Sequence, residues 1–351
     1  MTSPETRPIV PLDALFEPIM QAAVTEIGGT APLLEQIAAY HVGWRNADLT
    51  IVTGERPNPG KRMRPRLAML VTAGLGADPA LAAPVAAAIE LLHNFTLVHD
   101  DIQDKSHLRR HRPTVWSLWG DAQAINAGDA LFASSHLALY TIADRMETAP
   151  LLARLAREFD RTTLAIVGGQ TLDIESEGDP TVTPERYLQT ITGKTSAIVA
   201  FSAWAGGLVA GASETQLTDL AAFGLATGLA FQIRDDLLGI WGTESQTGKT
   251  PADDLRRRKQ TLPILELRRE ATEAERAELA TLYAEDVASE TEVARVLDLL
   301  DRYRIRARVE QDIHSYHDRA SAALGRVIPR DANDAANQLY ALLDELEHRT
   351  G

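Results

Sequence analysis

The sequence predicts an all-α protein, and three observations carry that expectation. Apolar residues recur at helical spacing: Val85, Ile89 and Leu92 fall at i, i+4 and i+7, on one face. Leu217, Leu220 and Gly224 continue into Gly228 at similar spacing, and two glycines four apart make a smooth ridge that lets another helix approach closely. Alternating runs of β-branched residues are scarce. The breaks between helical stretches are short, over 56–65, 76–79, 112–114, 178–184 and 242–251. Thr183-Pro184-Glu185 supplies an N-cap followed by proline at the first helical position. Residues 1–10 read as a terminus without fixed structure. With no repeat, no low-complexity stretch and no convincing linker, residues 1–351 read as a single large helical domain.

Composition narrows the function. Hydrophobic residues make up 45% of the 351, enough for a sizeable core. Acidic residues outnumber basic ones 49 to 35, a formal charge of −14, which repels nucleic acid and anionic lipid. An anionic substrate must therefore meet a local basic patch or bound cations. The absence of cysteine excludes disulfides, thiolate metal sites and cysteine nucleophiles. MTSPETRPIV has no basic stretch leading into an apolar run, so no secretory signal is expected. No window holds about 18 uncharged apolar residues, so no membrane span is expected, and the expected location is cytoplasmic.

Two acidic clusters stand out. HNFTLVHDDIQD carries Asp100, Asp101 and Asp104, with Asp100 and Asp104 one helical turn apart and His93 seven residues earlier on the same face. Stacked carboxylates repel, and a hard cation such as Mg²⁺, sharing phosphate oxygens, relieves them. Alone, such a cluster is more often a solvated helix end. Here Arg109, Arg110 and Arg112 follow at once, and guanidinium forks match phosphate bidentately; the competing reading is that they merely neutralise the aspartates as surface ion pairs. About 135 positions on, FQIRDDLLG places Gln232, Asp235, Asp236 and Gly239 on one face, followed by Lys249, Asp254 and Lys259 in GKTPADDLRRRKQTLP. Two aspartate-bearing helices facing across a cavity make a multi-metal diphosphate site. PGKRMRP gathers Lys61, Arg62 and Arg64 in a loop opened by Gly60. GGQTLD sets Gln170 and Asp173 at i, i+3, and Tyr187, Ile191 and Lys194 share a face with Thr195 adjacent; taken singly these read as structural.

As a set, GKRMRP, HNFTLVHDDIQDKSHLRRHRPT, INAGDALFA, GGQTLD, GKTSA and FQIRDDLLG…TGKTPADDL resemble, in the same order, the motifs of trans-isoprenyl diphosphate synthases, over about Leu34 to Leu267. The resemblance implies the isoprenoid synthase fold, helices packed around a deep cavity, in a homodimer. It implies head-to-tail condensation of isopentenyl diphosphate with an allylic diphosphate (dimethylallyl, geranyl or farnesyl), with three Mg²⁺ per active site and Mn²⁺ as a substitute. Asp100, Asp101 and Asp104 resemble the first aspartate-rich motif, and Asp235 and Asp236 the second. Arg109 resembles the allylic diphosphate ligand. Lys61, Arg64, His93 and Arg110 resemble the isopentenyl diphosphate pocket. Lys194, Thr195 and Gln232 resemble the groups near the departing diphosphate and the carbocation, and Lys249 a further diphosphate ligand; Lys259 joins the substrate-binding set.

Three departures from the family pattern matter. Gly239 replaces the last aspartate of the second motif, His111 replaces a glycine after the arginine pair, and LDELEHRTG lacks a basic tail. A type I terpene cyclase, the nearest competing enzyme, has no use for PGKRMRP and His93; a non-catalytic partner subunit typically lacks an aspartate cluster, and the first is complete here. Phe95 and Thr96, five and four residues before Asp100, lie roughly 6 to 8 Å deeper along the helix. Large rings at both positions resemble fifteen-carbon synthases and small residues longer-chain ones. One of each, with no insertion in the first motif, favours geranylgeranyl diphosphate, with farnesyl and farnesylgeranyl diphosphate as alternatives.

Overall fold

In the computed structural model, residues 11–29, 31–54, 57, 60–144, 149–179, 181–244, 250–283 and 288–348 are described. The N-terminal segment 1–10 and Lys249 lie outside them. Chain contacts group into two compact units, Met1–Glu158 with Ala205–Ser213, and Phe159–Trp204 with Glu214–Gly351.

The first unit is built on α4 (Ala83–Gln103), which packs against α1 (Leu12–Thr25), α3 (Met63–Gly74) and α5 (Val115–Tyr140). The sequence shows one apolar stripe on α4. In the structure every side chain from Ala83 to Leu92 is buried, as in a helix enclosed all round. The stretch Pro79–Gln103 has the length and apolarity of a membrane span, yet 72% of its most apolar window is buried within the protein. Ser and Thr hydroxyls tie further elements to this core: Thr72 Oγ1 donates to the Gly206 carbonyl at 2.9 Å. The break expected over 56–65 ends sooner, because α3 starts at Met63 and takes Pro65 into its first turn, where a missing N–H costs no helical bond. α2 (Pro32–His41) packs on α5.

Between α4 and α5 lies a small hairpin that the sequence reading did not anticipate, β1 (Leu108–Arg109) against β2 (Arg112–Pro113). Its two turn residues, Arg110 and His111, have φ of +50° and +64°. Left-handed backbone costs a non-glycine residue roughly 1–2 kcal/mol, so other contacts must hold the turn. Arg112 supplies them: it donates to the carbonyls of Tyr40 (3.2 Å) and Arg45 (2.8 Å), and its guanidinium lies 4.2 Å from the Tyr40 ring centre. Tyr40 Oη in turn donates to the Pro113 carbonyl at 2.7 Å.

The second unit is organised by α9 (Glu214–Trp241), in contact with α14 (Ile305–Gly325), α15 (Asp334–His348) and a π-helical turn, Thr192–Ser196, that joins α7 (Pro184–Ile191) to α8 (Ala197–Val209). Its apolar core includes Ile233, Leu237, Ile264, Leu299 and Ile313. α6 (Ala149–Ser176) precedes α7; α10 (Asp253–Arg256), α11 (Leu262–Glu270), α12 (Glu273–Leu282) and α13 (Glu290–Arg302) separate α9 from α14. Thr183 caps α7 as its sequence requires, accepting from the Arg186 N–H at 3.2 Å. The glycine ridge on α9 does what the spacing foretells. A Cβ on Gly224 would fall 2.6 Å from Ala200 Cα, and one on Gly228 would fall 2.6 Å from Ser196 Cα.

Candidate active site

The first aspartates sit at the C-terminal end of α4, with Asp104 as its C-cap. The helix macrodipole is negative there, so carboxylates at this end are doubly unfavourable and a cation is the natural remedy. The three do not act alike. Asp100 is half-buried and Asp104 exposed. Asp101 turns inward, 2% exposed, and Arg109 Nε donates to both of its oxygens at 3.0 Å, with Nη2 at 2.9 Å. Burial raises the Asp101 carboxyl above the usual range, and the Arg109 guanidinium offsets part of that rise. Arg109, expected on the allylic diphosphate, is therefore held here by an aspartate from the same unit.

A basic pocket adjoins this pair. Arg62, Arg109 and Arg110 line it together with His41, Glu90 and Asn94. Of the residues expected for isopentenyl diphosphate, Arg110 is in the wall. Arg64 Nη1 lies 3.3 Å from His93 Nε2, and Lys61 is exposed. Gly60 (φ +80°) is glycine for a visible reason, since a Cβ there would come within 2.6–2.9 Å of the Arg110 guanidinium. Arg62 is buried and paired with Glu17, which also accepts from Trp44 Nε1 at 2.6 Å. Glu90, also buried, faces the positive charges of Arg62, Arg64 and Arg110, and Asn94 Nδ2 donates to its carboxylate at 3.3 Å. Burial nevertheless raises the Glu90 carboxyl. Glu90, Asn94 and His41 were not singled out from sequence. The lone glutamate within AAAIELL was the available signal, because an unpaired charge in an enclosed helix has no place unless cations converge on it.

Burial, followed by the nearby charges of Arg109, Arg110 and Arg112, holds His41 down at about 3. Burial and Arg64 push His93 down in the same direction. The unfolded chain takes up a proton on each ring near 6.5 and the folded one does not. These histidines therefore stabilise the fold fully above that pH and progressively less as pH falls towards 3. Between pH 7 and 5, wild type is expected to lose up to about 2 kcal/mol relative to His41→Asn, read from paired urea midpoints. A constant difference between the two proteins would show that His41 titrates normally.

In the second unit, two glycines bring the catalytic candidates together. A Cβ on Gly193 would fall 2.5 Å from the Ala165 carbonyl and 3.1 Å from Gly169 Cα, so α6 and the π-helical turn touch through bare backbone. That contact sets Lys194 Nζ 2.5 Å from Asp173 Oδ2. π-Helical turns are frequent at functional sites, and this one also presents Thr195, whose hydroxyl donates to Gln232 Oε1 at 2.9 Å. Gln232 Nε2 donates to Asp236 Oδ1 at 3.1 Å, and Tyr187 Oη donates to the other oxygen of Asp236. Burial raises the Asp236 carboxyl to about 7 against these two hydrogen bonds. Asp236 thus faces inward while Asp235 is half-buried, the same division of labour as Asp101 and Asp100. Tyr187, which singly reads as structural, closes this chain, and Asp173, which reads the same way, holds Lys194. Lys259 Nζ pairs with Asp254 at 3.2 Å.

Among the described residues, no three His, Asp or Glu side chains form a ready chelate. Mg²⁺ rarely asks for one: it binds one or two carboxylates and completes its shell with water and substrate phosphates. Asp100 with Asp104, and Asp235, are hard oxygen donors of that kind, so the residues fit the ion.

The polyprenyl synthetase family model matches residues 52–300, well over half of the chain. The chain belongs to the polyprenyl synthetase family. This prenyltransferase is 42% identical over 267 residues to the geranylgeranyl diphosphate synthase of Mycobacterium tuberculosis, covering 75% of this chain and 74% of that protein. It is 40% identical over 273 residues to the (2E,6E)-farnesyl diphosphate synthase of the same organism, covering 77% and 74%. Among solved structures it is similar to a polyprenyl synthetase from Streptomyces coelicolor, with TM-score 0.81 and 33% identity over 95% of this chain and 97% of that one. It is also similar to the geranylgeranyl pyrophosphate synthetase of Pyrococcus horikoshii, with TM-score 0.81 and 31% identity over 96% and 98%. The all-α isoprenoid synthase fold and the trans-prenyltransferase activity expected from the motifs are those of the family.

Proposed function

We propose that this prenyltransferase condenses isopentenyl diphosphate with an allylic diphosphate in a Mg²⁺-dependent reaction, and that its product is geranylgeranyl diphosphate. The observation that carries the reaction is the pairing of Asp101 with Arg109 and of Asp173 with Lys194, each cation held ready by a carboxylate of its own unit. Mg²⁺, when bound, neutralises the charge on the departing diphosphate. Arg109 and Lys194 each rest on an aspartate from which they turn to phosphate oxygens, and so meet developing negative charge with little reorganisation. The allylic C1–O bond breaks, the isopentenyl C4 bonds to C1, and the C2 proton passes to the released diphosphate. The Thr195–Gln232–Asp236–Tyr187 chain fixes the Gln232 carbonyl oxygen as a dipole for the carbocation. Arg110 and Arg64 bind the isopentenyl diphosphate.

The product length rests on Phe95. Its half-buried ring lies 4.9 Å from the His99 ring and 5.2 Å from Phe132, and Phe132 meets His136 at 4.8 Å, an aromatic cluster that supports reading Phe95 as the floor. Thr96 is small and satisfied within the helix, donating to the His93 carbonyl at 2.8 Å. The farnesyl reading is supported by the 40% identity to the (2E,6E)-farnesyl diphosphate synthase. A primer series (dimethylallyl, geranyl, farnesyl) with labelled isopentenyl diphosphate, followed by chromatography of the dephosphorylated products, separates the two. Twenty carbons are expected from wild type and a shift to longer products from Phe95→Ala. An unchanged length in Phe95→Ala removes Phe95 as the floor, and the twenty-carbon reading with it.

The enzyme acts as a homodimer in this reading. Along α5, Leu118, Ile125, Leu137 and Tyr140 are 39–46% exposed, apolar side chains that a second copy would cover. Sedimentation showing a monomer at micromolar concentration would dispose of that part.

A further inference from the structure

Where the turn after α10 meets α11 and the end of α12, buried donors stand without acceptors. Tyr283, the C-cap of α12, is 7% exposed, and two guanidiniums lie over its ring, Arg268 at 4.8 Å and Arg258 at 5.6 Å from the ring centre. Arg258 and Thr261 are themselves 9% and 6% exposed. Tyr283 Oη, Arg258 Nε, Arg268 Nη2 and Thr261 Oγ1 are all buried with no hydrogen-bond partner among the described residues.

The positive charges here are not answered by carboxylates. The only anion bonded to Arg258 among the described residues is Glu292 Oε2, at 3.2 Å from Nη2. That oxygen already accepts from the Ser289 N–H at 2.7 Å and the Ser289 hydroxyl at 2.8 Å, as the capping box of α13. Arg268 has no ion pair among the described residues, and Asp179 acts on it only at longer range. Its Nη1 donates to the neutral Gln260 Oε1 at 2.6 Å, which brings the guanidinium beside Thr261 at the N-terminus of α11, a helix whose N-cap hydroxyl caps nothing. Asp254, whose charge reaches Tyr283, is taken by Lys259 at 3.2 Å. Burial raises the Tyr283 hydroxyl above its ordinary range, so it stays a donor.

The backbone holds this arrangement against a local preference. Arg258 has φ of +53°, which costs a non-glycine residue roughly 1–2 kcal/mol. The turn is pinned beside it: the Ala288 N–H donates to the Arg256 carbonyl at 3.0 Å, and Arg256 forks onto Glu290 at 3.0 and 2.8 Å. Buried cations and hydroxyl donors short of acceptors call for an anion, and guanidinium forks beside a helix N-terminus suit phosphate oxygens.

We propose that Arg258, Arg268, Tyr283 and Thr261 form a second anion site, built without the aspartate clusters, for a phosphate-type oxyanion: free phosphate, or the diphosphate that condensation releases. The site stands whether or not the metal-dependent reading of the aspartates does.

The test is calorimetric titration of the full chain with inorganic phosphate and, separately, inorganic pyrophosphate, both with a chelator present so that no metal bridges the anion to the aspartates. Tyr283→Phe keeps the ring and removes only the hydroxyl; it should weaken binding roughly 10-fold, and Arg268→Gln at least as much. The tighter of the two anions names the source. Thermal unfolding gives an independent arm. Without either anion, Tyr283→Phe should be at least as stable as wild type, because it loses a buried hydroxyl that has no acceptor. As phosphate is added, wild type should gain midpoint over the variant, beyond the general salting effect that both share. Titrations of Tyr283→Phe and Arg268→Gln indistinguishable from wild type overturn the inference. So does a Tyr283→Phe protein less stable than wild type without anion, since the hydroxyl is then satisfied by bound water alone.

Discussion

Asp100→Ala is expected to lower kcat by about 10³-fold or more while leaving the thermal midpoint within a few degrees of wild type. Asp100 is half-buried at the negative end of α4, so removing one of several stacked carboxylates relieves repulsion and exposes no apolar core. Asp101→Ala should behave differently. Its carboxylate is buried and bonded through both oxygens to Arg109, and its loss strands a guanidinium beside the basic pocket. That change should cost about 1–3 kcal/mol of stability as well as activity. Kinetics at saturating Mg²⁺ and thermal unfolding of the two variants give the comparison. If Asp100→Ala keeps near-normal turnover, the outward aspartates are not metal ligands. If the two variants are equally stable, Asp101 does not have the buried role its geometry gives it.

Gly193→Ala is the second large effect. The added methyl would meet the Ala165 carbonyl at 2.5 Å and Gly169 Cα at 3.1 Å. Both are backbone, so α6 and the π-helical turn must separate instead of a side chain swinging away. Overpacking of that kind costs about 1–3 kcal/mol. The functional loss should be the larger consequence, because the Lys194–Asp173 pair and the Thr195–Gln232 bond are set by this contact. A misplacement of about 1 Å in a positioned group costs on the order of 10²-fold in rate. Steady-state kinetics should therefore show kcat falling, with the protein still folded by circular dichroism. Wild-type kcat in Gly193→Ala would mean that the close approach of the two glycines is packing without catalytic consequence.

The particular residues show why part of this site was legible in the sequence and part was not. Asp100 and Asp104 one turn apart, Gln232 and Asp236 at i, i+4, and the glycine ridge of α9 are consequences of helical period alone, and they stand where the period puts them. Which aspartate of each DD pair faces inward depends on the rotation of the helix against its neighbours, and a linear pattern does not contain that. The structure turns Asp101 and Asp236 in. The hairpin at 108–113 lacked its usual signal, because its left-handed turn positions carry arginine and histidine in place of Asn-Gly. Arg112, which follows the arginine pair, spends its donors on the Tyr40 and Arg45 carbonyls, partners some seventy residues away in the chain that no linear pattern indicates. Gly239 was visible as a departure; that the Asp254 carboxylate packs against its bare backbone required the packing of α10 on α9.

The most direct measurement is turnover itself: purified full-length protein, labelled isopentenyl diphosphate, farnesyl diphosphate as primer, and Mg²⁺ with and without a chelator. Mg²⁺-dependent formation of an allylic diphosphate one isoprene unit longer is expected, with one pyrophosphate released per isopentenyl diphosphate consumed. Consumption of the primer to a hydrocarbon or alcohol with no label incorporated, or incorporation that survives the chelator undiminished, would contradict a metal-dependent prenyltransferase.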